Sequence, residues 1–102
     1  DILLLSNRKQ IAETMAAHRI PAIYPFHEYK DAGGFVVYGA NISVLFERAA
    51  EYVDRILKGA KPGSLPVQQA TAFELIVNLK AAAGLGLRVP SAVQVRADEV
   101  IE

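Results

Sequence analysis

The chain has 102 residues, 52% of them apolar, enough for one domain with a core of ordinary size and too few for more. Eleven basic and eleven acidic side chains cancel, which leaves no electrostatic footprint for nucleic acid or an anionic membrane surface. The absence of cysteine excludes a disulfide framework and a thiolate metal site, and no apolar run approaches the roughly 20 residues that insert across a bilayer.

Ile2 to Leu5 is a continuous apolar run and reads as a strand covered on both faces. The chain opens directly on it, without a preceding turn or a signal-peptide pattern, as a piece of a longer protein would. Ser6 and Asn7 end the run. Asn7 with Gln10 fits a capping box, and Ile11, Ala12, Met15 and Ala16 recur at helical spacing, so a helix is expected from about Arg8 to His18. Pro21 then introduces a short strand, Ala22 to Tyr24, and the three pieces together spell a right-handed βαβ unit. Arg8 and Lys9 stand in the first turn of the helix, where the dipole disfavours cations. They either hold an anion such as a ligand carboxylate or splay into solvent.

Pro25 to Asp31 is polar and aromatic and lies just beyond the end of a strand, the edge at which open α/β sheets bind ligands. Tyr24 and Phe26 are suited to stacking on an aromatic or apolar ligand, and Glu28 to accepting a hydrogen bond from an ammonium group. The competing reading makes Phe26 and Tyr29 a satellite cluster that anchors a one-turn helix. After Gly33 and Gly34, the residues Phe35 to Gly39 form a third strand. From about Asn41 to Lys58, Leu45, Ala49, Tyr52, Val53 and Ile56 make one helical stripe expected in the core, with Glu51–Arg55 and Asp54–Lys58 pairs on the exposed side. Gly59 closes the helix.

Lys61 to Pro66 is the one linker-like stretch. Phe73, Leu75, Val77 and Leu79 alternate, which predicts a strand with one polar side. A short helix follows from about Lys80 to Ala83, stopped by Gly84 and Gly86. Ser91 with Gln94 is placed to cap a last turn, and Val95, Val100 and Ile101 carry the tail into a groove. His18 and His27 have no second ligand at metal spacing, and there is no phosphate loop, nucleophile elbow or paired carboxylate. No metal or cofactor is implied, and an enzyme, such as one on a flavodoxin-like domain, is the weaker class.

Three runs carry a family resemblance: HRIPAIYPFHEYKDAGGFVVYG from His18, AAEYVDRILKGAKPGSLPVQQATAFELIVNLKAAAGLGLRVP from Ala49, and the terminal RADEVIE. They resemble the C-terminal part of the substrate-binding proteins of ABC uptake transporters, in the group of tryptophan and other aromatic amino acid binders. The resemblance implies an α/β, flavodoxin-like parallel-sheet lobe of a periplasmic binding protein type I fold. Residues 1–40 and 66–102 would then belong to the C-terminal lobe, and the helix within 41–60 would pack on the other lobe. It further implies a non-enzymatic, periplasmic or extracytoplasmic protein that captures a small organic solute, an amino acid or aromatic carboxylate, and delivers it to a permease. Alone, such a piece would self-associate or accompany the rest of its protein. Ser6, Asn7, Tyr24, Phe26 and Glu28 are the positions carried over as cleft-facing. In one respect the chain departs from the family pattern: only Ser6 and Asn7 stand where a longer loop usually follows the first strand. The alternative from another class is the ligand-sensing effector domain of a transcription regulator with the same lobes.

Overall fold

The computed structural model describes residues 1–102. Two compact units divide the chain, one formed by Asp1–Gly39 with Glu74–Glu102, the other by Ala40–Phe73.

In the first unit the opening apolar run is not the expected strand. It is a short helix, α1 (Ile2–Ser6), whose N-cap Asp1 accepts a hydrogen bond from the Leu3 N–H at 2.7 Å. A run of this length is compatible with either period, and here three leucines, good helix formers with only Ile2 β-branched among them, favour the helix once it is capped. Asn7 alone separates α1 from α2 (Arg8–Ala17). Its side-chain Nδ2 donates backwards to the Leu3 carbonyl at 2.8 Å and makes no cap bond to α2, so the expected capping box is absent. The βαβ unit therefore lacks its first strand. The parallel crossover lies one step later, from β1 (Ile23–Tyr24) through the one-turn α3 (Glu28–Asp31) to β2 (Val36–Ala40), with Tyr24 opposite Val37.

β3 (Phe73–Asn78) and β4 (Glu99–Ile101) complete the sheet, with α5 (Leu79–Gly84) and α6 (Ser91–Arg96) between them; the helix over Ile42–Leu57 belongs to the second unit. The four strands lie in the order β1-β2-β3-β4, with β3 and β4 parallel. Between β2 and β3, the Asn78 N–H meets the Phe35 carbonyl at 2.9 Å and the Asn41 N–H meets the Ala72 carbonyl at 3.0 Å. Each bond joins the start of one strand region to the end of the other, so the central pair runs antiparallel between two parallel outer pairs. This is the expected open α/β lobe with a reversal at its centre.

Neighbouring residues of a strand face opposite sides of the sheet, and β3 uses both sides. Ile76 joins Tyr24, Tyr29 and Val37 in one cluster, onto which Leu5, Ile11 and Ile101 pack. Val77, fully buried, joins Ala82 and Val89 in another, with Leu75, Leu79 and Val93 around it. The polar side expected for this strand is thus missing at its C-terminal half, because helices cover both faces. The tail is a strand and not a groove filler, since Val100 sits opposite Val77 in the ladder while Val95 stays exposed. Ser91 does not cap α6; the N-cap is Pro90, and Gln94 Nε2 donates to the Val89 carbonyl at 2.9 Å.

The second unit is built on α4 (Ile42–Leu57), whose N-cap Asn41 accepts from the Val44 N–H at 3.2 Å. Gly59 follows at φ +109, a left-handed backbone that glycine adopts without strain. A single 3-10 turn, Pro62–Ser64, leads into an extended return. Arg48 Nη2 donates to Thr71 Oγ1 at 3.1 Å and the Tyr52 hydroxyl donates to the Pro66 carbonyl, tying the return to the helix. Asp54 and Lys58 pair at 3.0 Å, whereas the Arg55 guanidinium lies over the Tyr52 ring. The stripe expected in the core is not buried: no residue of α4 is, and Val53 remains 55% exposed. The cause is a shortage of opposing surface, since one extended return cannot cover a helix of four turns.

Asn78 is the buried polar residue of the core, and its Oδ1 accepts from the Ala81 N–H at 2.9 Å to cap α5. Asn78→Ala should lower unfolding stability by about 1–2 kcal/mol, read as a lower urea midpoint at unchanged slope.

Candidate functional site

The segment after β1 is organised by two stacked rings. Tyr24 and Tyr29 lie with centroids 4.4 Å apart and planes 16° from parallel, both buried. Tyr29 reaches further and donates its hydroxyl hydrogen to the Leu4 carbonyl at 3.2 Å, so α1 is pinned to α3. Phe26 is half-buried and packs against the same cluster from its edge. Phe26 and Tyr29 do anchor a one-turn helix, while Tyr24 offers the interior of the stack and little free face.

Glu28 opens α3 and carries an unusual atom. Its Oε2 is buried and accepts no hydrogen bond, with His27 Nδ1 3.8 Å away. The remainder of the side chain is exposed enough for the carboxylate to be reached from solvent, its relative exposure being 40%. An ammonium or hydroxyl donor is what such an oxygen lacks. On the far end of α3, Lys30 Nζ bridges both carboxylate oxygens of Glu99 at 3.3 and 3.1 Å.

Ser6 and Asn7 are placed at the α1–α2 junction. Ser6 borders an open hollow of about 240 Å³ with Arg8, Lys9 and Asp31, which neither Phe26 nor Glu28 lines. Arg8 Nη1 donates to the Leu5 carbonyl at 3.0 Å and Lys9 approaches Glu13 at 4.0 Å. The misplaced cations of the helix start are therefore engaged with protein: Arg8 serves the C-terminal carbonyls of α1, where a cation is favourable. His18 ends α2 with its Nδ1 2.9 Å from the Thr14 carbonyl. The structure thus brings Tyr24, Phe26 and Tyr29 together with Glu28 alongside, and leaves Ser6 and Asn7 at a separate edge.

One concavity went unrecognised in the sequence. In the second unit Leu45, Ala49, Tyr52 and Ile56 face Leu65 and Val67 across a groove of about 380 Å³. The helical stripe and the Ser-Leu-Pro-Val return that form it are visible in the sequence, but not that they would stay apart.

An open α/β sheet of four strands covered by helices on both faces, with an aromatic and acidic segment after its first strand, is a construction that can seat a small ligand at the strand ends. A family model described as ABC transporter substrate binding protein matches residues 1–101, and the chain belongs to that family. Among solved structures it is similar to a conserved domain protein of Vibrio cholerae, at 30% identity and TM-score 0.88 over 98% of this chain. An ABC domain of Streptococcus pneumoniae in complex with L-Trp shares the fold, at 23% identity and TM-score 0.83 over 96% of this chain. So does the ligand-free, open structure of a substrate binding protein with adhesive properties from Clostridium difficile, at 23% identity and TM-score 0.64 over 99% of this chain. The chain spans 34% of each of these three. No curated protein matches it.

Burial, and next the neighbouring Tyr29, raise the Tyr24 phenol above its ordinary 10.0. The fold therefore disfavours the tyrosinate, so this contribution to stability is complete below about pH 10 and is lost as pH rises from there through the raised value. Thermal melts across pH 9 to 11.5 should show a fall in melting temperature that is shallower in Tyr24→Phe; an identical fall in both would show that Tyr24 does not contribute.

Proposed function

We propose that this chain is the C-terminal portion of an extracytoplasmic, non-enzymatic solute-binding component that captures a small organic solute and delivers it to an ABC permease. The observation that carries the reading is the family match over residues 1–101. The ligand class is an amino acid or aromatic carboxylate. The L-Trp held by the pneumococcal relative supports it, as does the chemistry of the segment after β1: an aromatic edge at Phe26 and, two residues on, the partly exposed carboxylate of Glu28.

In this reading Phe26 packs on the apolar part of the solute and Glu28 accepts from its ammonium group. Tyr24 backs the wall from inside through its stack on Tyr29, and Ser6 and Asn7 approach from the α1–α2 junction. Capture works by closure of two lobes, which a ligand favours only to the extent that it touches both in the closed state. Residues 1–40 and 66–102 form the C-terminal lobe, and the helix within 41–60 packs on the other. The exposure of Phe46 at 73% and Leu57 at 81% supports that assignment, since a 16-residue helix with this much bare apolar surface is built to be covered.

Calorimetry with L-tryptophan on the whole protein tests the site. Phe26→Ala and Glu28→Gln should each weaken binding by at least about tenfold, the loss of one well-packed ring or one charge-assisted bond; Glu28→Gln should do so with little change in melting temperature, whereas Phe26→Ala also lowers it because the ring packs on the core cluster. Wild-type affinity in both variants would remove this segment from the site. For the helix, Phe46→Asp should cost the whole protein about 2 kcal/mol of unfolding stability and the isolated 102-residue chain almost none; equal effects in the two would mean that α4 gains no cover.

A further inference from the structure

We infer that Gly39 is a positioning residue for the ligand-facing segment, acting on Pro25. The inference rests on the reading of Phe26 and Glu28 given above and adds what holds them in place. Tyr24 pairs with Val37 in the β1–β2 ladder, and immediately beyond that pair the two strands come closer than side chains permit. A Cβ on Gly39 would lie 2.0 Å from the Pro25 carbonyl oxygen and 2.9 Å from its carbon. Real contacts of this kind start at about 3.0 Å, so any side chain at residue 39 displaces that carbonyl by about 1 Å. The obstacle is backbone and not a flexible side-chain end, so a rotamer change cannot absorb it.

Pro25 fixes its own φ, and the next residue is Phe26. A displaced Pro25 carbonyl therefore carries the Phe26 Cα with it and tilts the start of α3, where Glu28 stands. A second close approach holds the same segment from the other end. A Cβ on Gly34 would lie 2.9 Å from Tyr24 Cδ2 and 2.9 Å from the Tyr29 carbonyl, to which the Gly34 N–H already donates at 2.8 Å. The stretch from Tyr24 to Tyr29 is thus seated on bare backbone at Gly34, just before β2, and at Gly39, near its end. Gly34 lies beneath the buried rings and acts on the core; Gly39 lies at the open end and acts on Phe26 and Glu28. Binding geometry tolerates roughly 0.5 Å of error, which a shift of this size exceeds.

The test uses the whole protein, with L-tryptophan and L-phenylalanine as calorimetric probes and 15N-labelled samples for amide shifts. Gly39→Ala should weaken binding of a probe that the wild type takes by at least about tenfold, and should move the Phe26 and Glu28 amide resonances. Pro25→Ala is made at an exposed position, folds whether or not Gly39→Ala does, and loosens the same carbonyl; it should weaken binding by about threefold. Val77→Ala lowers stability from within the other cluster and should leave affinity unchanged, as should Gly84→Ala, whose added methyl meets nothing within 4 Å. Wild-type affinity in Pro25→Ala or Gly39→Ala overturns the inference, as does an equal affinity loss in Val77→Ala at the same melting temperature. If the wild type binds neither probe, the ligand class proposed above is wrong and the amide shifts decide the positioning role alone: displaced Phe26 and Glu28 resonances in Gly39→Ala uphold it, and unmoved ones end it.

Discussion

The rest of the first unit depends on β3 being buried on both faces. Ile76 and Val77 are adjacent in sequence and so point to opposite sides, and each is the meeting point of a separate cluster. One cluster holds the aromatic stack and the helices of the chain start; the other holds α5 and the segment before α6. Neither cluster is large, and both draw on the same few residues of backbone. A change at Ile76 therefore acts under Tyr24, with which it shares a cluster, whereas a change at Val77 acts on the opposite side.

Much of this was legible because it rests on period and punctuation. The helix from Arg8, the long helix capped by Asn41 and closed by Gly59, and the strands at Ile23, Val36 and Phe73 all follow from apolar spacing and from residues that begin or end elements. What failed were readings that needed knowledge of neighbours. Ile2–Leu5 carries no period, and a capping aspartate decided it. Asn7 had two helices to serve and chose the earlier one. The α4 stripe was correctly identified as apolar, but whether an apolar face is covered depends on surface that no local pattern encodes.

The same limit applies to the candidate site. The chemistry of Pro25 to Asp31 could be read from residue types, and so could its place after a strand. The sequence did not show that Tyr24 would turn inward onto Tyr29, leaving Phe26 and Glu28 half-buried at its edge, or that one Glu28 oxygen would be left without a donor. Nor does any composition signal mark Gly39 apart from Gly63 or Gly84, which have open space where it has a carbonyl. Family membership came from the wording of whole segments, which records what the chain is related to more directly than what each side chain does.

The antiparallel centre of the sheet has a topological consequence. Because β2 and β3 run in opposite directions side by side, the chain leaves and re-enters the sheet at adjacent points, marked by the bond between the Asn41 N–H and the Ala72 carbonyl at 3.0 Å. Everything between them is an excursion from what is otherwise an ordinary hairpin. Loop closure depends only weakly on length, about 0.6 kcal/mol per doubling, so the sheet is nearly indifferent to what hangs from that point.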